Sequence, residues 1–283
     1  MALSQAQKII SSIKKYPVKY VSILGGESFL NFKSLLAIIK YAKKSGKSVM
    51  VFTNGFWAYH LNRAQKIIGQ LDKIGLNELR VSADGFHQEF IPFKSIVNII
   101  KAVQDKKIKL IIENTYFLNP RYKKFNLTTK QMELITPYLN SGPTRDVGRA
   151  NDSLLPLLPN KKKKNECNMV NWYGKLNQIK AVNIDYLGFV TVCDGICLGN
   201  INDSCLEQVL DSYIHQPHLI VDTLLSEGPL GMYQLAQKNG FKKSLDKTKS
   251  DCNLCYQSRQ FLAKLYPNLL APVNCYQENY EID

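Results

Sequence analysis

Apolar runs of strand length begin near Val18, Ser48, Glu78 and Ile108, thirty residues apart each time. Each of the first three is followed by apolar residues at helical spacing: Phe32, Leu35, Leu36 and Ile39, then Ala64, Ile67, Ile68 and Leu71, then Ile96, Val97, Ile100 and Val103. Gly46 and Gly75 fall where the first two of these helices would stop. Strands alternating with helices at this interval predict βαβ units and a parallel sheet, an α/β fold. Right-handed crossovers then carry all strand C-terminal ends to one side, where ligands bind in such folds. Residues 2–15, "ALSQAQKIISSIKK", predict a further helix with Ala6, Ile9, Ile10 and Ile13 on one face, and "LTTKQMELI" predicts another, capped by Thr128 or Thr129.

The strand ends are polar. The first closes on Gly25, Gly26 and Glu27, the second on Thr53 and Asn54, the third on Ser82 and Asp84, the fourth on Glu113 and Asn114. Any one of these would pass as an ordinary turn. Four in series at the same end of one sheet predict a shared ligand site, with Glu27 aimed at something cationic.

After about residue 141 the pattern changes. Proline, glycine and the four lysines 161–164 mark a boundary extending to about 165, and Arg149 within it is a candidate for the anionic part of a ligand, or an ordinary surface arginine. The division expected is a first domain over 1–149, a linker over 150–165 and a second domain over 166–283. In the second, "AVNIDYLGFVTVCDG" predicts a β-hairpin turning at "DYLG" with Cys193 at the tip of its second strand, and Ser204 with Glu207 predicts a capped helix start. Cys252 and Cys255 form a Cys-x2-Cys whose intervening turn can direct both sulfurs to one metal or cluster. With Cys167 and Cys193, four ligands are available, and zinc and an iron-sulfur cluster both accept four thiolates. Cys197 and Cys205 read as core filler and Cys275 as a reserve ligand.

The chain has 283 residues, enough for one large or two small domains, and 37 Lys and Arg against 23 Asp and Glu, a formal charge of +14. The excess would suit an acidic partner. It is mostly lysine without interleaved aromatics, which argues for a solvated exterior and against nucleic acid. Neither a membrane span nor a secretory leader is predicted, which points to a cytoplasmic protein with reduced thiols.

"ILGGESFL", "VFTNG", "LRVSADGFH" and "YLGFVTVCDGICLGNINDS", with the terminal Cys-x2-Cys, together resemble the radical S-adenosylmethionine superfamily, in particular members with a C-terminal auxiliary-cluster region of the SPASM or Twitch type. The resemblance spans nearly the whole chain. It implies a partial (β/α) barrel of that type, its first strand missing, followed by a small α+β cysteine-bearing domain. The family's first motif is usually Gly-Gly-Glu-Pro, which binds the amino group of S-adenosylmethionine; Gly25, Gly26 and Glu27 match it, and Ser28 replaces the proline. Ribose contacts would fall on Ser82 and Asp84, with Thr53, Asn54 and Glu113 lining the rest of the pocket. Cys167, Cys193, Cys252 and Cys255 would hold an auxiliary 4Fe-4S cluster.

The family's Cys-x3-Cys-x2-Cys loop, which holds the radical-generating cluster, is not matched, since the first cysteine is Cys167. Two explanations follow: an N-terminally truncated enzyme, or a natural member that lost this cluster and kept a binding scaffold. No catalytic residue is nominated. The partners implied are a peptide or protein substrate and, for an active enzyme, an electron donor. An unrelated reading is a non-catalytic α/β binding module with zinc at the four cysteines.

Overall fold

The computed structural model describes residues 1–118, 124, 126–167, 176 and 180–276. The chain divides into two compact units, one of residues 2–144 and one of 145–283 with Met1.

The first unit is a five-stranded, wholly parallel sheet in the order β1 (Tyr20–Ile23), β2 (Ser48–Thr53), β3 (Glu78–Ser82), β4 (Lys109–Tyr116) and β5 (Leu139–Pro143). Helix α1 (Leu3–Ser12) precedes β1, and α2 (Phe32–Lys44), α3 (Leu61–Lys73) and α5 (Phe93–Val103) fill the next three crossovers, the last after a single turn, α4 (Gly85–Gln88). Helix α6 (Thr129–Ile135) leads to β5. The thirty-residue step is therefore one strand and one crossover. Gly46 and Gly75 both carry positive φ, +73° and +79°, at the ends of α2 and α3, where a side chain would be strained.

Strand alternation separates two faces. Val49 and Val51 of β2, Leu79 and Val81 of β3, and Leu110 and Ile112 of β4 are buried in one cluster with Leu35, Ile39, Ala64, Ile68, Leu71, Ile96 and Ile99 of the helices. The opposite face carries Met50, Phe52, Glu78, Arg80, Ser82, Ile111 and Glu113, all half-buried. Thr128 caps α6 in a capping box with Gln131. Strand β5 was not foreseen: "LNSGP" has too few apolar residues to read as a strand, and its place comes from pairing with β4.

The second unit holds a three-stranded antiparallel sheet, β6 (Asn183–Ile184), β7 (Phe189–Cys193) and β8 (Ile196–Asn200), with the helices α7 (Arg149–Ser153), α8 (Leu206–His215), α9 (Leu219–Ser226), α10 (Gly228–Lys238) and α11 (Asp251–Leu262). The expected hairpin is present as β6 and β7, and a third strand, unforeseen, returns along β7 from Gly195. Three local expectations are corrected. Helix α8 is capped by Cys205 with Gln208, one residue later than Ser204 with Glu207, because the Ser204 amide is already bonded to the Asn200 carbonyl in the preceding turn. Cys205 is consequently exposed, whereas Cys197 is buried. Cys252 and Cys255 lie in the first turns of α11, not in a free turn, with Ser250 as the cap accepting from the Asn253 amide. The side chain of Arg149 lies outside the described residues. Among the described residues no helix is long and apolar enough to cross a membrane.

Truncating Ile39, which is fully buried, removes apolar contacts and leaves a cavity. Ile39→Ala should lower the unfolding free energy by about 2–5 kcal/mol in a urea titration, whereas Leu30→Ala, at a position 77% exposed, should change it by less than about 0.5 kcal/mol.

Candidate functional site

At the C-terminal edge of the parallel sheet, Glu27 ties the first two strand ends together. Its Oε1 accepts from the Phe29 amide (3.0 Å) and the Thr53 hydroxyl (2.9 Å), and its Oε2 accepts from the Asn54 amide (2.8 Å). The local sequence explains the geometry: Glu27 caps the helical turn Ser28–Asn31, and the two glycines before it leave open space, with nothing within 4 Å of where a Cβ would stand. A carboxylate has about four acceptor sites, so one direction on Oε2 remains. Thr53 is 4% exposed and its hydroxyl is fully committed, donating to Glu27 and accepting from the Gly55 amide (3.1 Å) and the Trp57 indole (3.0 Å). It shares the buried face with Val49 and Val51 and supports Glu27 from beneath. The Asn54 side chain accepts from the Phe56 amide in a local turn.

At the third strand end, Asp84 is buried and its Oδ1 accepts from the Phe86 and His87 amides (3.1 Å each) and from His87 Nδ1 (2.9 Å). The His87 pKa is raised above its ordinary 6.5, chiefly by the Asp84 hydrogen bond, against burial; the charges of Asp84 and Glu27 add to the rise. The first and third strand ends are thus close enough to act on one imidazole. Ser82 stands beside Glu113 in the ladder, and among the described residues its hydroxyl makes no hydrogen bond. The Glu113 carboxylate turns onto the open face, where Oε1 accepts from Arg80 (2.6 Å) and Oε2 from Asn140 (2.7 Å). Arg80 also pairs with Glu78 (2.5 Å) and lies 5.5 Å over the Phe52 ring. This network was not singled out from sequence. Its signal was there in Glu78, Arg80 and Ser82 at alternate positions of one strand, which share one face.

In the second unit, Cys167, Cys193, Cys252 and Cys255 line one pocket, together with Arg145, Glu166, Asp194, Asp251 and Arg259. Three separate stretches supply the sulfurs: the segment before residue 168, the tip of β7, and one face of α11. The segment reaching Cys167 is fixed by backbone bonds, with the Lys164 and Asn165 amides donating to the Asp251 carboxylate (2.8 and 3.3 Å). Beside the β7 tip, a Cβ on Gly195 would stand 2.4 Å from the Tyr276 ring, so only glycine lets that ring lie against the turn. None of the seven cysteines forms a disulfide. Burial pushes the Cys167 thiol up to about 12 and Cys193 to about 11, and raises Cys252 as well, with the neighbouring cysteines adding to the rise. Among the described residues no three His, Cys, Asp or Glu side chains form a closed metal-holding group. The sulfurs surround a space without converging on one point, and convergence is what a bound metal imposes.

The donor set suits a thiolate-bound metal or cluster. Arg259 is 2% exposed, no carboxylate among the described residues pairs with it, and its Nε has no hydrogen-bond partner. A buried cation of this kind marks the pocket as prepared for negative charge.

A family described as a 4Fe-4S single cluster domain matches residues 1–89. That segment contains no cysteine, so the likeness there is not to a cysteine ligand set. The peptide biosynthesis protein YydG of Bacillus subtilis (strain 168) is 28% identical over 88 residues, 31% of this chain and 28% of that protein. The match therefore spans less than a third of that relative. The solved structure of native anSMEcpe with bound AdoMet and Kp18Cys peptide shares the fold, with a TM-score of 0.54 at 13% identity over 95% of this chain and 90% of that one. Over residues 1–89 the chain is thus similar to that cluster-domain family, and it shares the fold of the AdoMet-bound structure.

Because the folded state binds the His87 proton more tightly than the unfolded chain, this group stabilises the fold fully below pH 6.5, and the contribution is lost as pH rises through the raised value. Asp84→Asn should bring the His87 imidazole titration, followed by NMR, down toward 6.5. It should also remove the part of the stability decline above pH 6.5 that the parent shows.

Proposed function

We propose that the chain binds S-adenosylmethionine at the sheet edge and an auxiliary 4Fe-4S cluster at Cys167, Cys193, Cys252 and Cys255, as part of a peptide-modifying radical enzyme. The observation that carries the reading is the meeting of these four cysteines, from three distant stretches of sequence, around one pocket. The matched proteins support a peptide substrate, one described by peptide biosynthesis and one solved with a peptide bound.

At the sheet edge each residue has a definite task. Glu27, held by three donors, keeps one acceptor direction for the ammonium of the cosubstrate. Gly25 and Gly26 leave room for its backbone contacts, and the Ser82 hydroxyl meets a ribose hydroxyl. Thr53, Asn54 and Asp84 act as positioning residues: the first two fix Glu27 and its turn, and Asp84 caps α4 and orients His87. Glu113, engaged by Arg80 and Asn140, forms a rigid polar wall on the open face. S-adenosylmethionine held there would supply hydrogen-abstracting radical chemistry, its one-electron reductive cleavage by a cluster and donor releasing methionine. The Cys-x3-Cys-x2-Cys that holds such a cluster is not present in these 283 residues.

Calorimetry with S-adenosylmethionine tests the first half. Glu27→Gln should weaken binding by roughly tenfold to a hundredfold, the value of a charge-assisted hydrogen bond of about 1.5–3 kcal/mol, while Glu78→Gln should leave it within about threefold. Equal losses in the two variants would overturn the assignment of Glu27.

Anaerobic reconstitution tests the second half. About four irons per chain are expected, with the signal abolished in Cys252→Ala and intact in Cys205→Ala. One zinc and no iron would favour the binding-module reading. Because the buried thiols must lose protons to ligate, loading should be tighter at pH 8 than at pH 6.

A further inference from the structure

On α11 the pocket residues follow one stripe: Cys252, Cys255 three residues on, and Arg259 four residues after that. The arginine is held in place by neutral acceptors. Its Nη1 donates to the Asp194 carbonyl (2.5 Å) and the Tyr276 hydroxyl (2.8 Å), and its guanidinium carbon lies 5.7 Å from the Tyr276 ring and 6.0 Å from the Tyr256 ring. The carboxylate of Asp194 is directed to Arg145 instead, 3.6 Å away. Asp251, the acid nearest in sequence to Cys252, is occupied by the Lys164 and Asn165 amides. Nε is left without a partner.

A guanidinium cannot escape burial by losing its proton, so a buried one without an anion is a standing destabilisation. Cys193 and Cys255 line the same pocket as Arg259, and they can compensate its charge only as thiolates. Neutral thiols do not supply that charge. Four thiolates on a zinc ion or on a 4Fe-4S core do, because either assembly is negative overall.

We propose that Arg259 is the built-in counter-charge of the four-cysteine site: a positioning residue that destabilises the empty protein, favours the thiolate-bound state, and raises the reduction potential of a cluster held there. The proposal rests on the cysteine-site reading above. It adds a specific division of labour on α11, with two ligands and their compensating cation on a single helical stripe. Removal of the cation makes addition of an electron to the neighbouring cluster less favourable, so the potential falls.

The test uses the full chain in parent, Arg259→Met and Arg259→Lys forms, with Co2+ titration followed by its thiolate charge-transfer absorbance, reconstitution with iron and sulfide, and denaturation of the empty and loaded proteins. Arg259→Met should leave the empty protein as stable as the parent or more so, weaken Co2+ binding by roughly tenfold or more, and shift the cluster's midpoint potential downward in an EPR-monitored titration. Arg259→Lys, whose ammonium the neighbouring thiolates keep charged, should bind Co2+ within about threefold of the parent. If the Met variant does not fold, the Lys variant decides alone, and a tenfold loss there would overturn the charge argument. Unchanged Co2+ affinity and potential in Arg259→Met, or equal destabilisation of its empty and loaded forms, would overturn the inference and leave the cysteine site standing. Failure of the parent to take either Co2+ or iron would overturn the site itself, and the inference with it.

Discussion

A parallel sheet delivers all its strand ends to one edge, where the backbone groups that the ladder leaves unpaired must find partners among side chains. In this protein acidic residues meet that demand. Glu27 takes the amides of Phe29 and Asn54, and Asp84 takes those of Phe86 and His87. The turns that follow β1 and β3 are fixed by these bonds, and the crossover helices then begin in defined directions. The same carboxylates give the edge its negative potential, which the raised pKa of His87 registers from both Asp84 and Glu27. Structural satisfaction and the proposed ligand recognition thus draw on the same oxygens. What remains for a ligand is the capacity that the turns do not use.

The second unit solves a different problem. Its short strands and helices bury Cys193, Cys255 and Arg259 together, a combination that is unfavourable while the thiols stay protonated. Several supports hold the arrangement open: Gly195 admits the Tyr276 ring, that ring's hydroxyl and the Asp194 carbonyl grip Arg259, and the Asp251 carboxylate fixes the segment that carries Cys167. On the proposed reading, the pocket stores its compensation in the loaded state, and metal binding and local folding would be parts of one equilibrium.

The two units also differ in how they reach stability. The parallel sheet owes its order to a continuous aliphatic core, with Val49, Val51, Leu79, Val81 and Ile112 fully buried under the helices. The cysteine unit contains a buried polar network in which Asn253 donates to the Asp146 carbonyl and to Asn151, and Gln257 donates to both Asn151 and Asn253. Such networks specify a single packing because any slip strands several polar groups at once.

The periodicity of apolar residues alone determined the parallel sheet, the helices between its strands and the edge at which the polar residues gather. Periods of 2 and 3.6 are properties of the backbone and need no distant partner to be visible. The Gly-Gly-Glu turn and the Cys-x2-Cys were legible for a similar reason, since local spacing confines their chemistry. Tertiary structure decided the rest. Strand β5 exists through its pairing with β4 and has no strong pattern of its own. Thr53 moved from ligand wall to buried support because its partners, Glu27 and Trp57, converge on it only in the fold. Arg259 has no local signal of its own beside the Cys-x2-Cys; on a helix, the residue four past Cys255 comes round to the same face. The burial that makes its charge consequential comes from β7, the Gly195 turn and Tyr276, segments far from it in sequence. Whether a charge is solvated or stranded depends on which distant segments cover it, and local spacing carries no record of that.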